Sequence, residues 1–205
     1  MSKPSILLIG AGGHAHSCID VIEQQGKYQI AGLVGMPEEM HNKHLGYQVI
    51  ATDDDLPQLV KEYACALISL GQILSPDSRI RLYLYTVQLG FQFPVIIAPT
   101  AYVSRYATLG SGTIIMHGSI VNAGVRIGDN CIINNRSLLE HDSTVKDHCH
   151  ISTGAILNGG VTIGAGSFVG SGTVIKEGVD IGKECVIGMG LSVRYSQLDH
   201  SRVTG

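Results

Sequence analysis

The chain has 205 residues, enough for one large domain or two small ones. Charged residues make up 15% against about 25% in an average soluble domain, and the apolar share is 44% with a mean hydropathy of +0.22. That composition excludes an intrinsically disordered chain, and a net charge of −3 without any Lys/Arg run excludes nucleic-acid binding. No apolar stretch reaches the ~18–20 residues of a membrane span, and Met1-Ser2-Lys3-Pro4 leads into a strand rather than a signal peptide. Five cysteines without paired spacing point to reduced thiols in a cytoplasm.

In chain order, Ile6–Ile9 reads as a buried strand that ends in Gly10-Ala11-Gly12-Gly13-His14 and opens a helix through Cys18, Ile19, Val21 and Ile22. A strand at Gln29–Val34, a helix near Asp54–Tyr63, a strand at Cys65–Leu70, a helix at Pro76–Leu89 and a short strand at Pro94–Ile97 follow. This alternation predicts a small Rossmann-like α/β domain with a parallel sheet over residues 1–98, and Pro99 marks its end. The Gly-rich turn offers unpaired N–H groups and a positive helix end to an anion. It fits a phosphate or nucleotide-sugar site, or else a tight structural turn. A dinucleotide site is disfavoured, since the full G-x-G-x-x-G is missing and no acid follows the second strand at Val34-Gly35-Met36. Ser69-Leu70-Gly71 is expected beside the turn.

From Val103 to Val193 every sixth residue is aliphatic, sixteen times without a slip. Six is a multiple of the strand period and not of the helical one, so these side chains share one side of an extended path. Two residues earlier the positions are mostly small, as at Ser119, Cys131 and Ala155, and one residue later nine of sixteen are Gly or Asn, which reads as a bend. The predicted architecture for residues 99–205 is an all-β, left-handed parallel β-helix: a three-sided prism with three short strands per 18-residue coil. Cys131, Cys149 and Cys185 are separated by multiples of 18 and are expected to stack inside it as small hydrophobes.

Two histidines of the prism stand out. His141, in Leu139-Glu140-His141-Asp142, lies at a bend flanked by carboxylates, the setting of a general base. His150 precedes an inward residue and therefore points outward. Nine residues is half a coil, so the two lie on opposite sides of the prism. A site using both is built between prisms, and identical prisms around an axis form a homotrimer.

Gly10–His14, the run Ile133-Asn134-Asn135-Arg136-Ser137-Leu138-Leu139-Glu140-His141-Asp142, His150-Ile151-Ser152 and Leu157-Asn158-Gly159 resemble the bacterial sugar O-acyltransferase family. That family includes sialic-acid O-acetyltransferases and UDP-4-amino-sugar N-acetyltransferases, and the likeness spans essentially the whole chain. It implies a trimeric enzyme that takes acetyl-CoA as co-substrate and acetylates the amino or hydroxyl group of a UDP-amino-sugar or sialic-acid-type acceptor by direct transfer, with no metal. By the same resemblance His141 is the general base and Asp142 its polarising partner. Asn134 and His150 line the substrate and acetyl-CoA cleft, the backbone around Ser171 and Met189 meets the pantetheine arm, and Gly12, Gly13 and His14 hold the nucleotide. The chain departs from the family at Val34-Gly35-Met36, where nucleotide-gripping members have Asp-Asp, and at Gln72, which replaces an Asn. The usual C-terminal Gly-x-Pro-Ala is absent and Val203-Thr204-Gly205 reads as a truncation just before it.

Two other readings stay open on the residues alone. A γ-class carbonic anhydrase would place zinc on His117, His141, His148 or His150 between subunits, although the family's His pair five residues apart is missing. A non-catalytic hexapeptide scaffold would show no dependence on His141.

Overall fold

The computed structural model describes residues 3–204. The expectations resting on Met1, Ser2 and Gly205 lie outside the described residues. The N-terminal part comprises β1 (Ser5–Ile9), α1 (Gly13–Gln25), β2 (Gln29–Gly35), β3 (Lys43–His44), β4 (Tyr47–Thr52), α2 (Leu56–Leu59), β5 (Cys65–Ile68) and α3 (Asp77–Leu89). Its sheet has the order β3-β4-β2-β1-β5 and is parallel except for the β3–β4 hairpin. Ile6–Ile9 of β1 are fully buried on both sides, as a central parallel strand requires. Ile6 and Leu8 pack with Cys18, Ile19 and Ile22 of α1, while Leu7 and Ile9 pack with Leu56, Leu82 and Tyr83.

Four elements differ from the sequence reading, the unforeseen two-residue strand β3 among them. Strand β4 was not foreseen, because only Val49 and Ala51 of its six residues are buried. The helix expected at Asp54–Tyr63 contracts to a 3-10 turn at Asp53–Asp55 and the single turn of α2. Thr52 and Asp55 cap its start, the Thr52 N–H donating to Asp55 Oδ2 at 2.8 Å, but within α2 only Leu56 is buried, too little apolar face to hold a longer helix. The strand expected at Pro94–Ile97 is Ile96–Ile97, and it pairs with Ile114–Ile115 of the prism instead of completing the N-terminal sheet. Ile96 joins the core beneath α1 and Ile97 packs on the prism core, so this strand serves both units.

The prism is a left-handed β-helix of two-residue strands in three parallel sheets. The first face stacks Ile96–Ile97, Ile114–Ile115, Ile132–Ile133, His150–Ile151, Phe168–Val169, Val186–Ile187 and Arg202–Val203. The second runs from Tyr102–Val103 through Leu138–Leu139 to Ser192–Val193, and the third from Thr108–Leu109 to Asp180–Ile181. The hexad aliphatics fill the interior together with Cys131, Cys149 and Cys185, all three thiols fully buried.

The bends fall two residues later than the sequence reading placed them. Every sixth residue from Gly112 to Gly190 has a positive φ, so the left-handed corner is the third residue after each aliphatic. The small residues one position after the aliphatic answer to a different constraint. A Cβ on Gly164 would sit 2.5 Å from the backbone N of Lys183 in the next coil, and one on Gly170 would sit 2.5 Å from Met189 N. Successive coils therefore pack backbone to backbone at these points.

On the first face the outward residues are apolar where the N-terminal unit lies on them. Ile114, Met116 and Ile132 are buried in the same cluster as Ile19 and Ile22 of α1. Among the described residues no helix is long and apolar enough to cross a membrane. Replacing Gly164 by Ala forces the stacked coils apart and should cost about 1–3 kcal/mol, the usual range for overpacking. Thermal unfolding measures it, and a variant as stable as the parent would refute the close-packing account.

Candidate functional site

Two separate constellations carry the polar chemistry. The first is on the edge between the second and third faces. Asp142 occupies a left-handed corner with φ of 61°, which turns its carboxylate back toward the neighbouring imidazole. His141 Nδ1 and Asp142 Oδ2 are 2.9 Å apart, and the side chains are 69% and 73% exposed. With Nδ1–H donating to the carboxylate, the lone pair of Nε2 is left free. Two glycines make room for the pair. A Cβ on Gly159 would lie 2.7 Å from His141 Nε2, and one on Gly124 would collide with Asp142 Oδ1. Both positions fit the hexad pattern, so neither reveals this role in the sequence.

The second constellation joins the N-terminal unit to the first face. His150 points outward from the prism as expected, yet the N-terminal unit covers it and leaves it 7% exposed. Its Nδ1–H donates to Gln72 O at 2.6 Å, so its Nε2 accepts from Asn134 Nδ2 at 3.1 Å. Gln72, in turn, donates from Nε2 to His148 O at 2.9 Å and Gly166 O at 3.2 Å. Burial, opposed by the Gln72 bond and aided by the Arg79 charge, lowers the His150 pKa to about 4. His14 is nearby with Nε2 shielded and unpartnered, and burial, Arg79 and His150 bring its pKa down to about 3. Both rings are therefore neutral at physiological pH.

Arg79, which sequence reasoning missed, is fully buried. It donates from one nitrogen to Ile68 O and Leu70 O, each at 2.7 Å, and from Nε to Asn130 O of the prism at 3.3 Å. Nothing in the spacing of an arginine on a helix marks it as buried, so no signal was available.

The structure thus brings His14, Asn134 and His150 together and keeps His141 and Asp142 apart from them. Ser171 and Met189 lie further along the edge between the first and second faces. Ser171 Oγ is 2.9 Å from Ser152 Oγ, and Met189 is 79% exposed. His117 is held by Thr100 at 2.9 Å and Asp20 at 3.0 Å. Among the described residues no group of three His, Cys, Asp or Glu side chains is placed to hold a metal ion.

Beside the second constellation, a cleft of about 420 Å³ opens at the carboxyl edge of the sheet, lined by Gly12, Met36, Glu39, Asp53, Ser78 and Arg81 among others. Gly10 has φ of 116° and a Cβ there would strike Leu70, while Ser69 Oγ donates to Gly10 O at 2.6 Å. Ser69–Leu70 does lie against the turn. A Cβ on Gly12 or Gly13 would meet nothing within 4 Å, so the bare helix start is open to a ligand. Ser78 and Arg81 were missed, although their i, i+3 spacing on one helix was legible.

Residues 5–84 match the family model of the PglD N-terminal domain. Residues 106–141 match the bacterial transferase hexapeptide model and residues 160–194 the hexapeptide repeat of succinyl-transferase. Among solved structures, a His-to-Ala mutant of GDP-perosamine N-acetyl transferase from Caulobacter crescentus, in complex with CoA and GDP-perosamine, is 30% identical. The alignment covers 100% of this chain and 95% of that one with a TM-score of 0.92. The acetyltransferase domain of PglB from Neisseria gonorrhoeae, with acetyl coenzyme A, is 28% identical over 100% and 97% of the two chains, at a TM-score of 0.91. WeeI from Acinetobacter baumannii, at 21% identity, 99% and 97% coverage and a TM-score of 0.88, shares the fold. A search of curated proteins finds no match.

The buried histidines generate a pH dependence. Unfolded, His14 and His150 take up protons near pH 6.5; folded, they do so only near 3 and 4. The unfolded state binds more protons across that window, so stability falls as pH drops below about 6.5, by ~1.4 kcal/mol per pH unit for each ring. His14→Leu should remove about one ring's share of that slope in urea unfolding between pH 6.5 and 4.5. An unchanged slope would contradict neutral burial.

Proposed function

Because the chain belongs to the family of bacterial sugar acetyltransferases that join a PglD-type N-terminal domain to hexapeptide repeats, and is thereby an acyltransferase, we propose that it transfers the acetyl group of acetyl-CoA to the amino group of a nucleotide-linked amino sugar. The observation that carries this reading is the His141–Asp142 pair, with Nε2 free and unobstructed over Gly159. The complexes of the Caulobacter and Neisseria proteins with CoA, acetyl coenzyme A and GDP-perosamine support the choice of donor and acceptor class.

In this reading residues 1–98 hold the nucleotide and residues 99–205 do the chemistry. The helix start at Gly12–Gly13 and the Arg81 guanidinium suit a diphosphate. As the amine nitrogen bonds to the thioester carbonyl carbon and the carbon–sulfur bond breaks, His141 Nε2 removes the amine proton and passes it to the departing sulfur. Asp142 holds the tautomer and stabilises the imidazolium. Asn134 and His150 position the neighbouring prism's edge, with Ser171 and Met189 beside the pantetheine arm. All five cysteines are free thiols, consistent with a cytoplasmic setting.

The proposed assembly is a homotrimer. Outward residues of the second face are Tyr102, Ile120, Leu138, Ile156, Val174 and Ser192, whereas those of the third are Thr108, Arg126, Thr144, Thr162 and Asp180. Tyr102 is 58% and Ile120 40% exposed in the isolated chain, so the second face is the one a copy would cover. Bringing the His141 edge of one prism against the Asn134–Ser171 edge of the next places both in one cleft.

His141→Ala should lower kcat at least ~100-fold with little change in either KM. Gly159→Ala, which displaces the ring without removing it, should lower kcat while leaving the thermal midpoint in place. Assayed as CoA release with UDP- and GDP-amino-sugars, CMP-sialic acid and free sialic acid as acceptors, the reading is abandoned if none is acetylated, or if His141→Ala keeps full turnover. Sedimentation should give three chains per particle, and Ile120→Glu should yield monomers without activity. An active monomer would refute the intersubunit site.

A further inference from the structure

The position one residue after each second-face aliphatic forms a column down the His141 edge: Ser104, Asn122, Glu140, Asn158, Lys176 and Arg194. Its start holds one acid and no cation and is internally bonded, with Asn122 Nδ2 donating to Glu140 Oε2 at 2.8 Å and Asn158 Nδ2 to Ile175 O at 2.9 Å. Its end is two cations, one coil apart. Equivalent columns on the other edges read Met116, Asn134, Ser152, Gly170, Gly188 and Gly110, Gly128, Lys146, Gly164, Gly182, with no such pair.

Like charges on adjacent strands oppose each other, and none of the ion pairs among the described residues engages Lys176 or Arg194. Both are exposed. They border a groove of about 360 Å³ that begins at Asn158, next to the Gly159 beneath the His141 ring, and continues past Val174 and Ser192. Glu177 is the one acid along it. On a chain of net charge −3, this is a local basic patch leading directly away from the candidate base.

The distances select a ligand. Coils rise about 4.8 Å each, so Lys176 and Arg194 stand roughly 10 and 14 Å along the axis from the level of His141. The arm that separates a CoA thioester from its phosphates has the same number of backbone bonds as about four extended residues, ~14 Å. An acyl carbon held at His141 therefore puts anionic phosphates at the level of the two cations. We propose that Lys176 and Arg194 seat the phosphate groups of the acyl donor and set the register of its thioester against His141. This rests on acetyl-CoA being the donor, and it adds the residues that recognise it as a phosphorylated carrier.

The alternative source of phosphate is the diphosphate of the sugar nucleotide, and the test separates the two. Calorimetric titration of CoA into the whole protein should show at least tenfold weaker binding for Lys176→Ala/Arg194→Ala than for the parent, whereas Lys176→Arg/Arg194→Lys should bind as the parent does. Acetyl-pantetheine, which lacks the phosphates, should be turned over with the same kcat/KM by all three, and the KM for the nucleotide sugar should not move. Unchanged CoA affinity in the double-alanine variant, or a rise confined to the KM of the nucleotide sugar, would overturn the assignment while leaving acetyl-CoA as donor. A parent protein that does not bind CoA at all would overturn the donor itself.

Discussion

An eighteen-residue coil that returns to the same three strands and three corners leaves almost no freedom to any single side chain. Residue number modulo six decides whether a position faces in, faces out or turns a corner, and modulo eighteen decides which edge it occupies. Every coil rests backbone to backbone on the next, as the clash of a Cβ at Gly164 with Lys183 shows. A register slip would therefore expose the whole aliphatic interior at once. The stability of the prism and the placement of its chemistry come from one repeat, and His141, Gly159, Lys176 and Arg194 share an edge only because that repeat never falters.

The N-terminal unit is fastened to this frame by a contact with both apolar and polar parts. Ile114, Met116 and Ile132 provide the buried apolar surface. Through the middle run Gln72, His150 and Arg79, each bonded across the junction, with Asn134 bonded to His150 on the prism side. The Arg79 charge is buried without a carboxylate, held instead by three carbonyl oxygens. Its field helps to keep His14 and His150 uncharged. That neutrality fixes the His150 tautomer, with Nδ1 as donor and Nε2 as acceptor, so Asn134 is oriented by a ring that is itself oriented by the loop after β5. The cleft at the Gly-rich turn, bounded by Leu70 of the same loop, thus shares a rigid connection with the edge of the prism.

What the sequence disclosed follows from how strongly each feature repeats. Sixteen hexads leave no ambiguity about the prism, and the half-coil offset of His141 and His150 is simple arithmetic that the coordinates reproduce. Single events were harder to read. β4 buries two side chains and shows little alternation, the helix after it lacks an apolar stripe, and Ile96–Ile97 looks like any short strand until its partner is known. The corner residues were misplaced because glycine serves two purposes in the hexad, a positive φ at one position and a missing Cβ at another. Composition alone does not separate them. Arg79 and the cover over His150 depend on contacts between residues more than fifty positions apart, which one sequence does not encode in any local pattern.

The exposure of the candidate base carries the last step. His141 and Asp142 are more than two-thirds open to solvent in the isolated chain, where a charge-assisted bond is weakened by the high dielectric of water. A base that stabilises a transient imidazolium gains from a drier setting, because the same Asp142 carboxylate then acts through less screening. Among the described residues no element lies over the pair, while the largely apolar second face beside it is also uncovered. One event, the closing of a second prism over that face, would bury Tyr102 and Ile120, bring the opposite edge to His141 and exclude water from it. On the proposed reading, assembly and activation of the base are the same step, which accounts for a fold that stations its catalytic imidazole at an outer corner.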